Sequence, residues 1–444
     1  MNFGRTFWIV MTVAIGVLMN PINTTMITVA FVGIQESFEA GFSEVSWLIA
    51  SYYIISAIAQ PLMGKVSDSI GARRVYMFGL LLVCLSSTLA PFSSNMGELT
   101  AYRAVQALGT SALHPAGMSL LKLHVSDKQA RALGIVGSFS TFSAAIGPSV
   151  GGLLIHYSSW KAIFLINYPL IFTAFALVWL VVPRDAAART RSWVSEMDYA
   201  GILLFAAAMT GWFIFFQSLD EPSYLLLSCN LAASLLFYWR EIGAAKPFID
   251  IRAILANRRL TLIFMQYAMI NIVLYCMLFG LPVYLISTAG LAPGEAGLVM
   301  LAMSAPNLAA LPFVARWVEQ SGPGYPMLAG AAGAVTALLL FQWLDAGTSI
   351  LVVCLMLVLF GLSNSAQSFS VQASLFLTVD KSAIGVYSGL LQTSRFVGTI
   401  TSSCVLGVVF GGSISVSGLH QITMLCAAIA AVSCLGAWVA IRRA

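Results

Sequence analysis

The chain has 444 residues, of which 59% are hydrophobic and 9% charged, with a formal net charge of +5. Soluble domains carry roughly 25% charged residues, so the composition excludes a soluble globular protein and indicates an integral membrane protein. The basic residues are dispersed among short loops rather than clustered, which does not suggest a nucleic-acid partner, and none is expected. The seven cysteines show no CxxC pair or metal spacing and read as small core residues, so no metal and no cofactor are expected.

A bilayer-spanning helix needs about 20 mostly apolar residues, and fourteen such runs are expected. They are 7–33, 44–63, 74–92, 97–123, 131–156 and 161–182, a hairpin at 198–217 and 223–240, then 260–287, 295–314, 325–343, 349–375, 383–410 and 418–440. The first run is too long for a signal-peptide core and stays as the first helix. The hairpin turns at Asp220-Glu221-Pro222. The expected domains are a six-helix bundle at 1–183, a linker with the inserted hairpin at 184–259, and a second six-helix bundle at 260–444.

A short charged turn, Gly64 to Gly79, recurs 251 positions later as Ala315 to Gly330. That offset pairs Lys65 with Arg316, Asp68 with Glu319, Gly71 with Gly322 and Gly79 with Gly330, and further on Gly134 with Gly385 and Gly147 with Gly398. Internal repeats of this kind mark secondary transporters.

With both termini in the cytoplasm, 19 of the 22 lysines and arginines fall on the inner side, which fixes orientation by the positive-inside rule. None of the 17 acidic residues falls within a membrane interior by these boundaries. The ionisable groups that do are Arg103, Arg395 and His114, and intramembrane charges default to functional roles.

Polar residues recur at spacings of three and four along six runs. They are Asn20, Asn23, Thr24 and Thr28; Tyr52, Ser56 and Gln60; Arg103, Gln106, Thr110 and His114; Tyr267, Asn271 and Tyr275; Asn364, Gln367, Ser368 and Gln372; and Ser388, Gln392, Arg395 and Thr399. Each set shares one helix face and must point at protein or water, as a central polar path or as interhelical hydrogen bonds. At 1.5 Å per residue, Asn23 and Arg103 reach similar depth in the outer half.

Four motifs carry a resemblance to the major facilitator superfamily, and to its fourteen-helix drug:proton antiporter branch. They are Trp47 with Tyr52 and Gly64 to Arg74; Arg103 to Gly109; Gly147-Pro148-Ser149-Val150-Gly151-Gly152; and Trp160 to Pro169. The resemblance implies two pseudo-symmetric bundles, a transporter rather than an enzyme, and alternating access. It implies that Gly64, Lys65, Asp68, Gly71 and Arg73 form an inner gate, with the carboxylate beside basic groups. It implies that Gly147, Pro148, Gly151 and Gly152 let the fifth helix bend and pack closely, and that Arg103 takes part in proton coupling. Departures from the family pattern matter: the family usually has Asp before Thr-Thr in helix 1, where this chain has Asn23, which cannot titrate, while Ser69 and Ala72 replace frequent arginines and Ser143 a frequent glycine.

The resulting expectation is a monomeric exporter of amphipathic or aromatic compounds in a bacterial cytoplasmic membrane, exchanging them for protons. Asn23, Arg103 and His114 form the coupling region. Asn20, Thr24, Tyr52, Ser56, Gln60, Gln106, Thr110, Tyr267, Asn271, Tyr275, Asn364, Gln367, Gln392 and Arg395 line the path. His114, beside Pro115, reads either as a packing residue or as a titrating group of ordinary pKa near 6.5. The alternative is an uncoupled facilitator, or a lipid or metabolite exporter, because helix 1 lacks its carboxylate.

Overall fold

A computed structural model describes residues 3–40, 42–125, 129–185, 198–217, 223–244, 247–291, 293–345, 347–410 and 415–442. The regular structure of these residues is helical. In chain order the helices are α1 (Phe3–Val29), α2 (Phe31–Phe38), α3 (Phe42–Ile70), α4 (Ala72–Leu89), α5 (Met96–His124), α6 (Gln129–Tyr157), α7 (Asn167–Val181), α8 (Tyr199–Gln217), α9 (Tyr224–Gly243), α10 (Ile251–Ala256), α11 (Arg258–Ser287), α12 (Pro293–Ser321), α13 (Gly324–Leu340), α14 (Ile350–Thr378), α15 (Ile384–Phe410) and α16 (Val416–Arg442). Fourteen of them are 15 residues or longer, and these match the fourteen expected runs. Nine of the described helices are long and apolar enough to cross a membrane by length and composition. The large exposed side chains include Leu81, Phe92, Phe172, Leu203, Phe313, Leu351 and Leu435, an apolar exterior suited to lipid.

The chain divides into two compact units. One comprises Met1–Thr210, Ala232–Ile251 and Val379–Thr393; the other comprises Gly211–Leu231, Arg252–Thr378 and Ser394–Ala444. In the first, α1 packs on α5, α6 and α7, and α5 packs on α3 and α4. Its apolar core includes Ile22, Met26, Ile34, Leu48, Leu99, Trp160 and Phe164. In the second, α14 packs on α12 and α13, and α16 packs on α11 and α13. Met277, Leu281, Tyr284, Leu338, Phe341, Leu357 and Ile422 lie in its core.

Several boundaries depart from the sequence reading. The expected turn at Gly64 is helix: α3 continues to Ile70, and the chain turns only at Gly71, whose φ of 111° suits glycine alone. The sixth run begins not at 161 but at Asn167, after a 3-10 turn at Trp160–Phe164. Pro169 then falls in the first turn of α7, where a missing N–H costs nothing. The first run ends at Val29, and α2 follows it. The Asp220-Glu221-Pro222 turn lies outside the described residues.

The internal repeat carries into the backbone. Helix α3 and the 3-10 turn Ala90–Phe92 recur with numbers 251 higher as α12 and the 3-10 turn Phe341–Trp343, and α4 recurs as α13, which begins one residue later than that offset gives. Gly322, the counterpart of Gly71, also has positive φ, at 75°. Gly79 brings α4 against Gly109 and Ala112 of α5, and Gly330 brings α13 against Ser363 and Ala366 of α14. A Cβ added to either glycine would come within 3.0 Å of its neighbours.

Candidate functional site

The first unit holds a polar core built on α1, α3, α5 and α7. Asn23 engages all four hydrogen-bonding positions of its amide. Its Nδ2 donates to the Met19 carbonyl (2.7 Å) and to Asn167 Oδ1 (2.8 Å). Its Oδ1 accepts from Gln106 Nε2 (3.1 Å) and Asn167 Nδ2 (3.0 Å). Asn167 also donates to Ser87 Oγ at 3.0 Å. An aspartate at position 23 could keep the two acceptor roles but would lose both donors, so this site is shaped for an amide.

Arg103 is 1% exposed. Its Nη1 donates to Gln106 Oε1 at 2.5 Å and to the Asn23 carbonyl at 3.5 Å, while its guanidinium stacks 4.3 Å from the Tyr52 ring centre. Its Nε has no hydrogen-bond partner, and no carboxylate lies within ion-pairing distance among the described residues. A buried guanidinium is held here by neutral amides and a π face. Nearby, Tyr52 Oη and Thr110 Oγ1 are 2.6 Å apart, and Asn20 Nδ2 donates to both at 3.3 Å. Thr24 turns back to its own helix, onto the carbonyls of Asn20 and Pro21.

One helical turn or more further along α5, His114 Nε2 lies 2.7 Å from Nε2 of Gln392 on α15. A side-chain amide nitrogen only donates, so this pair requires a neutral imidazole accepting at Nε2. Gln392 Oε1 is buried without a partner, and turning it inward would suit a protonated ring.

The end of α3 meets the start of α15. Asp68, five residues beyond the apolar run that ends at 63, accepts from the backbone N–H of Gly385 (3.1 Å, Oδ1) and Val386 (3.0 Å, Oδ2), and from Ser119 Oγ (3.1 Å). It therefore sits on the N-terminus of α15, where helix dipole and free N–H groups favour an anion. Burial nevertheless dominates and pushes its pKa up to about 7. The surrounding glycines serve close approach: a Cβ on Gly64 would collide with the Gly385 backbone, and one on Gly389 with the Gln60 carbonyl. Ser56 and Gln60 are buried on the same helix.

Among the described residues, the hydrogen bonds of this carboxylate come from backbone and hydroxyl donors and not from the basic groups of the motif. The Arg73 guanidinium donates to the Trp179 carbonyl at 3.4 Å and lies 5.9 Å from that indole. Lys65 Nζ donates to the Pro247 carbonyl at 2.5 Å. Gly71 instead meets Asp185, whose carboxylate accepts from the N–H groups of Arg73 and Arg74 (3.2 and 3.0 Å) and so caps α4. Backbone donors at helix starts replace the arginines as partners. Asp185 carried no motif signal that could have marked it in advance.

Gly147 packs α6 onto α1 at Thr25, and Gly151 packs it at Met26. Gly152 approaches only Val29, at 3.9 Å. The Pro148 side chain lies outside the described residues. In the second unit, Gly398 packs α15 onto Ala268 and Asn271 of α11. Tyr267 and Asn271 are buried, and Asn271 Nδ2 donates to the Tyr267 carbonyl at 2.7 Å. Tyr275 lies 5.4 Å from the Phe279 ring, and Arg395 lies 4.9 Å from that of Phe396. Asn364 and Gln367 do not join these residues. With Phe360, Ile270 and Ser433 they line a separate void of about 10 Å³, the size of one water, and Gln367 donates to the Gly330 carbonyl at 3.2 Å. Their stripe faces a neighbouring helix within the bundle, a distinction that helical spacing does not carry.

A repeated helical scaffold and an apolar exterior are features of membrane carriers. The family model described as Major Facilitator Superfamily matches residues 13–403. The chain belongs to the major facilitator superfamily. It is 36% identical over 416 residues to YwoD, an uncharacterized MFS-type transporter of Bacillus subtilis strain 168, covering 91% of this chain and 90% of that protein. It is 26% identical over 424 residues to the tetracenomycin C resistance and export protein of Streptomyces glaucescens, covering 93% and 77%. The fold matches the human organic anion transporter MFSD10 with a TM-score of 0.72 at 13% identity, over 97% of this chain and 99% of that one. This superfamily member is a multi-pass membrane transporter and not an enzyme.

Proposed function

We propose that the chain exports amphipathic or aromatic organic compounds across a bacterial cytoplasmic membrane by alternating access, with both termini in the cytoplasm, in exchange for protons. The observation that carries the substrate reading is Arg103, buried with no carboxylate beside it. A path with a guanidinium and without acids favours neutral or anionic compounds over quaternary ammonium ions. The tetracenomycin C exporter supports outward movement of organic compounds. In this reading Asn23 positions Arg103 through Gln106, and His114 carries the proton, because the Gln392 amide beside it can donate to the neutral ring or, turned over, accept from the protonated one. The contact of α3 with α15 serves as the inner gate.

The experiment is substrate-induced proton release from proteoliposomes. Release by the wild type and its loss in His114→Ala are expected. No pH signal in the wild type, or an unchanged signal in His114→Ala, refutes the role of His114. A second reading, transport without proton coupling, is favoured by the fully bonded amide of Asn23. Flux that follows the substrate gradient and ignores the pH gradient selects it.

A further inference from the structure

We propose that Asp198 and Glu241 form a proton-binding site, one proton being shared between Asp198 Oδ2 and Glu241 Oε1. The two residues lie at the end of the α8–α9 hairpin opposite its 218–222 connection. Asp198 precedes α8, and Glu241 sits in the last turn of α9. They are 6% and 1% exposed.

Each carboxylate has one oxygen engaged and one bare. Asp198 Oδ1 accepts from the Gly201 N–H (3.0 Å) and from Arg240 Nη2 (2.9 Å). Glu241 Oε2 accepts from the Ile249 N–H at 2.7 Å. Asp198 Oδ2 and Glu241 Oε1 are buried with no hydrogen-bond partner. Both bare oxygens face Gly201, where an added Cβ would lie 2.9 Å from Oδ2 and in collision with Oε1, so they are within about 5 Å of one another. Two ionised carboxylates facing each other at that range repel, and a buried charged acceptor without a donor is costly. One proton relieves both conditions, since the acid form of one group donates to the carboxylate of the other.

The surroundings assign the proton. Asp198 already receives the Arg240 guanidinium and a backbone donor on its engaged oxygen. Glu241 has a single neutral donor, so it carries the proton. Burial pushes the Glu241 pKa up, and the charge of Asp198 adds to this, while the Ile249 N–H, Lys65 and Arg240 oppose it. Lys65 comes from α3, and its charge reaches both carboxylates. Its Nζ is held on the Pro247 carbonyl, 5.9 Å from the Phe248 ring centre. When Glu241 releases its proton to water, a second negative charge appears within reach of Lys65 and draws Nζ away from that carbonyl. Lys65 lies one helical turn before Asp68 on α3, so the hairpin site acts on the segment that caps α15. This site does not depend on the substrate or the proton coupling assigned above.

The test is infrared difference spectroscopy of the full-length protein in lipid nanodiscs as pH rises from about 5 to about 9, a window above the ordinary titration of exposed carboxylates. Asp68→Asn serves as the background, because Asp68 titrates in the same window. A protonated carboxyl C=O band that disappears with rising pH is expected in Asp68→Asn. It should be absent when Glu241→Gln is added, and should shift when glutamate is labelled with ¹³C at the side-chain carboxyl. The labelling arm stands whether or not the Glu241→Gln variant folds. No such band, a band unmoved by the label, one that survives Glu241→Gln, or one that responds to sodium ions instead of pH overturns the proposal.

Discussion

Raising pH should loosen the contact of α3 with α15, and Asp68→Asn should abolish that sensitivity. In the closed contact Asp68 titrates near 7; once solvated, it titrates near 3.9. A carboxyl raised in the closed form stabilises that form fully below about pH 4. It loses the advantage as pH climbs through about 7, and is flat beyond. Three units at 1.36 kcal/mol each give about 4 kcal/mol, or roughly tenfold in the closed-to-open ratio per pH unit within that window. Spin labels at Ser69→Cys and Lys381→Cys, both exposed positions flanking the contact, report the distance by pulsed electron resonance. Cys229, which is exposed, is replaced by serine in this background. A short-distance population that shrinks from about pH 4 to about pH 7 in the parent, and stays constant in Asp68→Asn, is expected. Equal pH profiles in the two proteins, or a short-distance population that grows as pH rises, would refute the reasoning.

Gly64→Ala places a Cβ against the backbone of Gly385 and Val386. It should weaken the same contact by about 1–3 kcal/mol, read as a shift to long label distances at every pH. Arg103→Lys keeps the charge but loses the planar stack on Tyr52. About 1–2 kcal/mol of lost interaction should lower transport roughly tenfold in a proteoliposome flux assay. Asn23→Asp removes two donors, leaving the Met19 carbonyl and Asn167 Oδ1 facing a carboxylate. A melting temperature that falls more at neutral pH than at acid pH is expected, together with a new pH dependence of flux. An unchanged melting curve across pH would show that the amide pair is not formed.

The helix count was legible because twenty apolar residues between charged loops have few other uses, and the repeat was legible because glycine spacing survived where side chains changed. Partners were less so. The inner motif suggested an ion pair, but its carboxylate reaches backbone N–H groups 317 and 318 residues away, and backbone donors leave no trace in composition. Likewise the polar stripe on α14 was visible as a stripe, while the face Gln367 turns to Gly330 is set by how α13 packs. The meeting of Asn23 with Arg103 could be inferred from depth along two helices. The intervening Asn167, on a third helix, could not.

The repeated glycine scaffold offers an internal control within one chain. Gly79→Ala and Gly330→Ala insert the same methyl group into matching crevices, so their penalties in a melting experiment should be alike. Asp68 and its counterpart Glu319 break the likeness: one is clasped on a helix start and the other stands exposed. The repeat thus supplies two like frames, of which the first holds its carboxylate on a helix start, and engineering the second to match would ask whether a carrier with twin clasps can still turn over.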